Sequence, residues 1–156
     1  MGWVSLTLRK LSLRESINSH ELRDIQISRQ MRSIHRALSY DQSVHTSAKK
    51  LELQEAKEAI LDLRDRKPED YGSNEYNEWY QEYTDAQTDY QEEKMNINEY
   101  YDEILNEIEE ESTDEETILQ EEQTSLEAQL ESMRSEFDAV KEQISSDIEN
   151  TTLKLS

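Results

Sequence analysis

Tyr76 to Ile108, YNEWYQEYTDAQTDYQEEKMNINEYYDEILNEI, decides the fold class of this 156-residue chain. Tyr76, Tyr83, Tyr90, Ile97 and Ile104 recur every seven residues, with Tyr80, Gln87, Lys94, Tyr101 and Ile108 at the companion position. Five repeats without a slip form the seam of a coiled coil, in which each helix hides one narrow stripe against a partner. The expected fold class is therefore all-α, built from elongated amphipathic helices.

On the C-terminal side a second seam places Leu119, Leu126, Met133 and Val140 at one position and Gln123, Leu130, Phe137 and Ile144 at the other. The two registers differ by one residue, because Ile104 to Leu119 spans fifteen residues rather than fourteen. The offset falls at 109–116, where Ser112, Thr113 and Asp114 are able to end one helix and cap the next. We expect a turn there, making 75–156 an antiparallel coiled-coil hairpin; the alternative is one long rod with a skip residue.

On the N-terminal side the clearest break is 68–74, a linker in which Pro68 and Gly72 flank Glu-Asp-Tyr and Ser73 or Asn74 caps the next helix. Before it, 12–67 reads as a helical segment: Leu13, Ile17, Ile27, Met31, Ile34 and Leu38 keep helical spacing, and Leu53, Ala56, Ile60 and Leu63 resume it. Between them the apolar register slips across Ser39 to Ser47, whose hydroxyls compete with helical hydrogen bonds, so a bend is expected at 39–47. In 1–11, Val4, Leu6 and Leu8 alternate with Ser5, Thr7 and Arg9, the period of a strand, and an extended docking tail is expected. Asn150 to Ser156 loses the seam and is expected to fray.

Composition limits the alternatives. With 33% apolar and 35% charged residues and a mean hydropathy of −1.04, the chain lacks the material for a compact globular core. Two Gly and one Pro favour helix over disorder. The absence of Cys excludes disulfides and thiol chemistry. The apolar residues from Trp3 to Leu13 are interrupted by polar ones, so neither a secretory leader nor a membrane span is expected. Leu6 stands where an acylation motif at Gly2 needs Ser or Thr, and Asn150-Thr151-Thr152 is taken as a chance match to a glycosylation acceptor.

No constellation points to catalysis, a cofactor or a metal. Glu107, Glu109, Glu110 and Glu111 lack the turn glycine of a calcium loop, and Ile17, Arg32 and Gln42 stand where a di-iron bundle needs Glu ahead of His20, His35 and His45. Gly2 and Gly72 alone make no phosphate loop. The chain is expected not to be an enzyme.

Charge is split along the chain. Residues 1–50 hold nine Lys/Arg against four Asp/Glu, and 51–156 hold eight against thirty-three. Arg29, Arg32 and Arg36 lie on one side of the basic helix and are candidate contacts, with Trp3, Leu6 and Leu8 of the tail. A body of net −25 repels nucleic acid over a Debye length of about 8–10 Å, so the arm is expected to meet acidic protein surface, on copies of this chain or on another subunit. Seven of the eight Tyr, with Trp79, lie between Tyr71 and Tyr101. Most fall on the seam as core; Tyr71, Trp79 and Tyr100 fall off it and are candidate residues of an aromatic patch for another protein.

With an acidic rod from Asp114 to Glu149, a basic head and no catalytic motif, the chain resembles the small helical structural proteins of tailed bacteriophages, of scaffolding, core or portal-associated type. The resemblance implies a non-enzymatic assembly subunit located in the virion or procapsid, docking by its basic N-terminal segment as a homo-oligomer or within a hetero-assembly. Coiled-coil adaptors share the same look, and the alternative is a cytoplasmic adaptor or chaperone-like module that holds a basic protein client.

Overall fold

In a computed structural model, described for residues 2–155, the chain is two long helices: α1, Gly2–Asp65, and α2, Asn74–Leu155. They pack against each other as a helical hairpin, and no strand occurs among the described residues. The reversal is at 66–73. The N–H groups of Arg66 and Lys67 still reach back to carbonyls of the last turn of α1, Gly72 adopts φ +89°, and α2 then starts on Ser73. Ser73 caps the new helix, its hydroxyl accepting from the Tyr76 N–H at 3.1 Å and its carbonyl accepting from the Asn77 N–H. Both residue types at the reversal are those the linker reading requires: a glycine where φ is positive and a hydroxyl where a helix begins.

Three expectations are corrected. The first is the extended tail: α1 begins at Gly2, and only Met1 lies outside the described residues at that end. The alternation that suggested a strand covers too few residues to exclude a helix; Val4, Leu8 and Leu11 fall on one helical face and Leu6, Lys10 and Leu13 on another. The second is the bend at 39–47, through which α1 runs unbroken. The third is the turn at 109–116. Here α2 is continuous, so the hairpin does not lie within 75–156 but joins α1 to α2 at 66–73.

One physical reason covers the last two. The inward positions of α2 step by seven through Tyr90, Ile97 and Ile104, by eight to Ser112, then by seven again through Leu119 and Leu126. In α1 the same step of eight separates Ile34 from Gln42. A straight helix drifts by about 20° per heptad, so four to five heptads lose roughly 80–100°, and one extra residue at about 100° restores the phase. The slip is a rephasing device, and nothing at Ser112–Asp114 or Ser39–Ser47 is strong enough to stop a helix.

The chain divides into two compact units, Met1–His35 with Asp114–Ser156, and Arg36–Thr113. The first is centred on Leu13, Ile27 and Leu130, with Ile27 fully enclosed. The second contains the reversal and is centred on Ile97 and Tyr101. Among the described residues no helix is long and apolar enough to cross a membrane.

Candidate interaction surfaces

In the first unit the two helical segments carry opposite charge: 1–35 holds six Lys/Arg against three Asp/Glu, and 114–156 holds three against twelve. Several pairs join them. Arg23 forks onto Glu122, Nε donating to Oε1 at 2.6 Å and a terminal nitrogen to Oε2 at 2.7 Å. That hydrogen bond holds the Glu122 carboxyl below its ordinary pKa and raises that of Arg23. Arg9 meets Glu136 at 2.7 Å, Arg134 of α2 meets Glu21 at 2.7 Å, and His35 lies 3.2 Å from Glu116. Gln123 donates to Asp24, and Lys10 lies over the Phe137 ring at 5.8 Å. Exposed pairs of this kind contribute little each, so they set helix pairing and orientation while the buried seam supplies the affinity.

The basic segment therefore meets the acidic helix within one molecule, where the reading of the arm's charge looked to other copies or subunits. The neutralisation is incomplete. Arg14, Arg29 and Arg32 are exposed and form no ion pair among the described residues; Arg32 donates only to the Ser28 carbonyl of its own helix. On the same outer side Val4, Leu8, Leu11, Leu22 and Ile25 are exposed, Leu8 by 66% and Leu22 by 57%. Of the N-terminal candidates, Leu8 thus joins the outer stripe, Leu6 is half-buried toward α2, and Trp3 is exposed beside Val4. Val4, Leu11, Leu22 and Ile25 are not among the contact candidates of the sequence reading, although their three- and four-residue spacing is the signal that reveals them. Beside Ile25 an open groove of about 750 Å³ is lined by Ile25 and Leu130 with charged groups that include Glu127, Glu131 and the paired Glu21 and Arg134.

The second unit is net acidic, with eight Lys/Arg against twenty-two Asp/Glu in Arg36–Thr113, and the excess lies mainly on its α2 segment. Its Tyr cluster is mostly internal. Trp79 stacks on Tyr83 at 5.1 Å between ring centres, contacts Tyr76 at 5.6 Å, and donates its indole N–H to the Leu63 carbonyl at 2.6 Å. Trp79 thus faces α1, not outward as the patch reading required, and Tyr80, assigned to the seam, is exposed. The reason is local. Behind the reversal the inward positions run Tyr76, Trp79, Tyr83, Ala86, Tyr90, which spaces the large rings by three and four.

Tyr71 packs on Tyr76 at 4.7 Å and accepts a hydrogen bond from the Lys67 ammonium, which also lies over the Tyr71 and Trp79 rings. The ammonium holds the Tyr71 phenol below its ordinary pKa and is itself raised, whereas burial pushes Tyr76 up. Tyr101, buried at the centre of the unit, donates to the Glu52 carboxylate at 2.8 Å, which raises its pKa, and Lys49 lies 3.7 Å from Asp102. Tyr100 is exposed and sits edge-on to Tyr101; Arg36 is exposed on α1. The candidates Tyr71, Trp79 and Tyr100 therefore do not form one patch: the first two belong to the clasp at the reversal and the third stands near the unit's centre.

Among the described residues no group of three or more His, Asp or Glu side chains is arranged to hold a metal ion. No protein family, characterised protein or solved structure matches the chain.

Proposed function

We propose that the protein is a non-enzymatic assembly subunit of a large complex, a component of a bacteriophage virion or procapsid, and that it docks through the N-terminal part of α1. The observation that carries the reading is the outer side of that segment, where exposed Val4, Leu8, Leu11, Leu22 and Ile25 adjoin guanidinium groups with no ion-pair partner among the described residues. A contiguous apolar stripe gains nothing from facing water, and beside unpaired Arg it has the composition of an interface: apolar contact for affinity, Arg for orientation. The test is quantitative mass spectrometry of purified particles. A fixed copy number per virion or procapsid is expected, and absence of the chain from both contradicts the proposal.

A second reading is favoured by the acidity of the α2 segment of the second unit, which suits a cytoplasmic adaptor holding a basic protein client. It expects client binding that weakens steeply with salt and is lost when Glu107, Glu109, Glu110 and Glu111 are replaced by Gln. Salt-independent binding contradicts it.

A further inference from the structure

The second unit is acidic overall, yet one side of it carries a groove without a carboxylate. Between its helices Lys57, Ile60, Leu61 and Arg64 of α1 line an open groove of about 500 Å³ with Tyr83 and Tyr90 of α2. Thr84, Gln87, Thr88 and Gln91 complete the lining, so neither Asp nor Glu takes part in it. Lys57 and Arg64 are exposed, stand seven residues apart and form no ion pair among the described residues; Lys50, one heptad earlier, is exposed and unpaired in the same way. The nearby acids are sorted to other sides. At about 100° per residue Glu55 and Asp62 fall on the flank of α1 opposite Lys57, and Glu58 and Asp65 on its side away from α2. On α2 the acids Glu75, Glu82 and Asp89 recur every seven residues on the flank opposite Gln87 and Gln91.

The chemistry of the groove describes what it accepts. Thr84 and Thr88 donate their hydroxyls to carbonyls of their own helix, which leaves the Lys57 ammonium, the Arg64 guanidinium and the Gln87 and Gln91 amides as donors. Ile60, Leu61, Tyr83 and Tyr90 are half-buried and present apolar surface beside the cations. Spacing identifies the class of occupant. Seven residues of α1 rise by about 10.5 Å at ~1.5 Å per residue, which is one heptad of a helix laid alongside, whereas the phosphates of a nucleic-acid strand follow at about 3.4 Å along its axis. The geometry points to a docking groove for an acidic amphipathic helix of another protein, which lies along the hairpin as a third helix. Its apolar stripe covers Ile60, Leu61, Tyr83 and Tyr90, and one carboxylate per heptad reaches Lys50, Lys57 and Arg64 in turn. Exposed ion pairs contribute little each, so the apolar contact supplies affinity and the cations select an acidic helix over a basic one. A second copy of the chain is the poorer occupant. Its heptad-spaced acids Glu75, Glu82 and Asp89 flank the stripe of Tyr76, Trp79 and Tyr83 that is already packed within its own chain.

The probe is a labelled synthetic peptide of three heptads with Leu at positions a and d and Glu at e and g, whose like charges keep it from pairing with itself. Fluorescence anisotropy with the full chain is expected to show saturable binding, and the same peptide with Lys in place of Glu is expected not to bind through this groove. In the double variant Lys57→Glu/Arg64→Glu the affinity for the Glu peptide is expected to fall by about tenfold or more, with helical circular dichroism unchanged because both residues are exposed. Arg14→Glu/Arg29→Glu, which reverses charge in the first unit, is expected to leave that affinity as it was. Absence of binding, or binding that ignores Lys57→Glu/Arg64→Glu, overturns the inference. A DNA duplex that binds through Lys57 and Arg64 in preference to the peptide overturns the choice of a helix, and a self-associated chain that Lys57→Glu/Arg64→Glu returns to 18.5 kDa in sedimentation equilibrium overturns the choice of another protein. None of these outcomes touches the particle analysis, which reads the N-terminal part of α1.

Discussion

The two units solve the same packing problem with different materials. Unit one pairs a basic helical segment with an acidic one around Leu13, Ile27 and Leu130, and charged pairs such as Arg23–Glu122 and Arg9–Glu136 line the seam. Unit two holds eight Lys/Arg, but among the described residues only Lys49–Asp102 joins its helices as an ion pair. It relies on rings, with Trp79, Tyr76 and Tyr83 closing the reversal and Tyr101 filling the centre through a hydrogen bond to Glu52. The contrast teaches which surface is spoken for. In unit two most large rings pack inside the chain, and the exposed apolar groups, Tyr40, Val44, Leu51 and Met95 among them, are spread over both helices. In unit one a whole seam, Val4 to Ile25, and three arginines are left over.

The largest effect separates the two sides of α1. Ile27→Ala, at a fully enclosed position, is expected to destabilise the fold by about 2–5 kcal/mol in chemical denaturation, whereas Ile25→Ala, two residues away and exposed, stays within roughly 0.5 kcal/mol. Equal costs at the two positions break the comparison. Next comes the clasp of unit two. Trp79→Phe keeps a ring in the stack but loses the indole donor to Leu63, and about 1 kcal/mol of stability is expected to go with it, together with faster amide exchange across 63–67. Unchanged exchange there shows that packing alone closes the reversal.

The two smallest effects are pH limits, one for each unit, and they have opposite sign. Tyr101 has its pKa raised in the fold, so its hydrogen bond contributes stability that is present below the ordinary tyrosine value and lost as pH rises through the raised one. Melting temperature is expected to fall on the alkaline side less steeply in Tyr101→Phe than in the parent chain. Glu122 has its pKa lowered by Arg23, so its contribution is present above the ordinary glutamate value and lost as pH falls through the lowered one. Glu122→Gln is expected to remove that part of the acid sensitivity and to leave the alkaline limb untouched. A variant that alters the wrong limb contradicts the assignment.

How much was legible in the sequence depends on the range over which each signal acts. The heptads from Tyr76 to Ile108 and the Pro68–Asn74 break are local patterns with local causes, and the helices and the reversal stand where those patterns lie. The step of eight at Ser112 was visible too, but a rephased helix and a helix end leave the same one-residue offset, and only the continuity of α2 distinguishes them. Val4, Leu6 and Leu8 fit a strand and a helix equally over so short a run. The partner of the basic segment is a non-local fact: the charges of Arg9 and Arg23 required carboxylates nearby, and nothing in their spacing said that Glu136 and Glu122 of the same chain supply them. The outer stripe was in the spacing all along, hidden because Leu8 was counted in a strand and Leu22 and Ile25 in no face at all.

The central claim is that the first part of α1 lies against the last part of α2 in a single molecule. Spin labels on Ser12→Cys/Ser135→Cys, both exposed positions in unit one, test it by dipolar distance measurement in a sample diluted with unlabelled chain. Packed helix axes are about 8–10 Å apart, so with the label arms a distance below roughly 25 Å is expected. A distribution centred beyond about 40 Å contradicts the account.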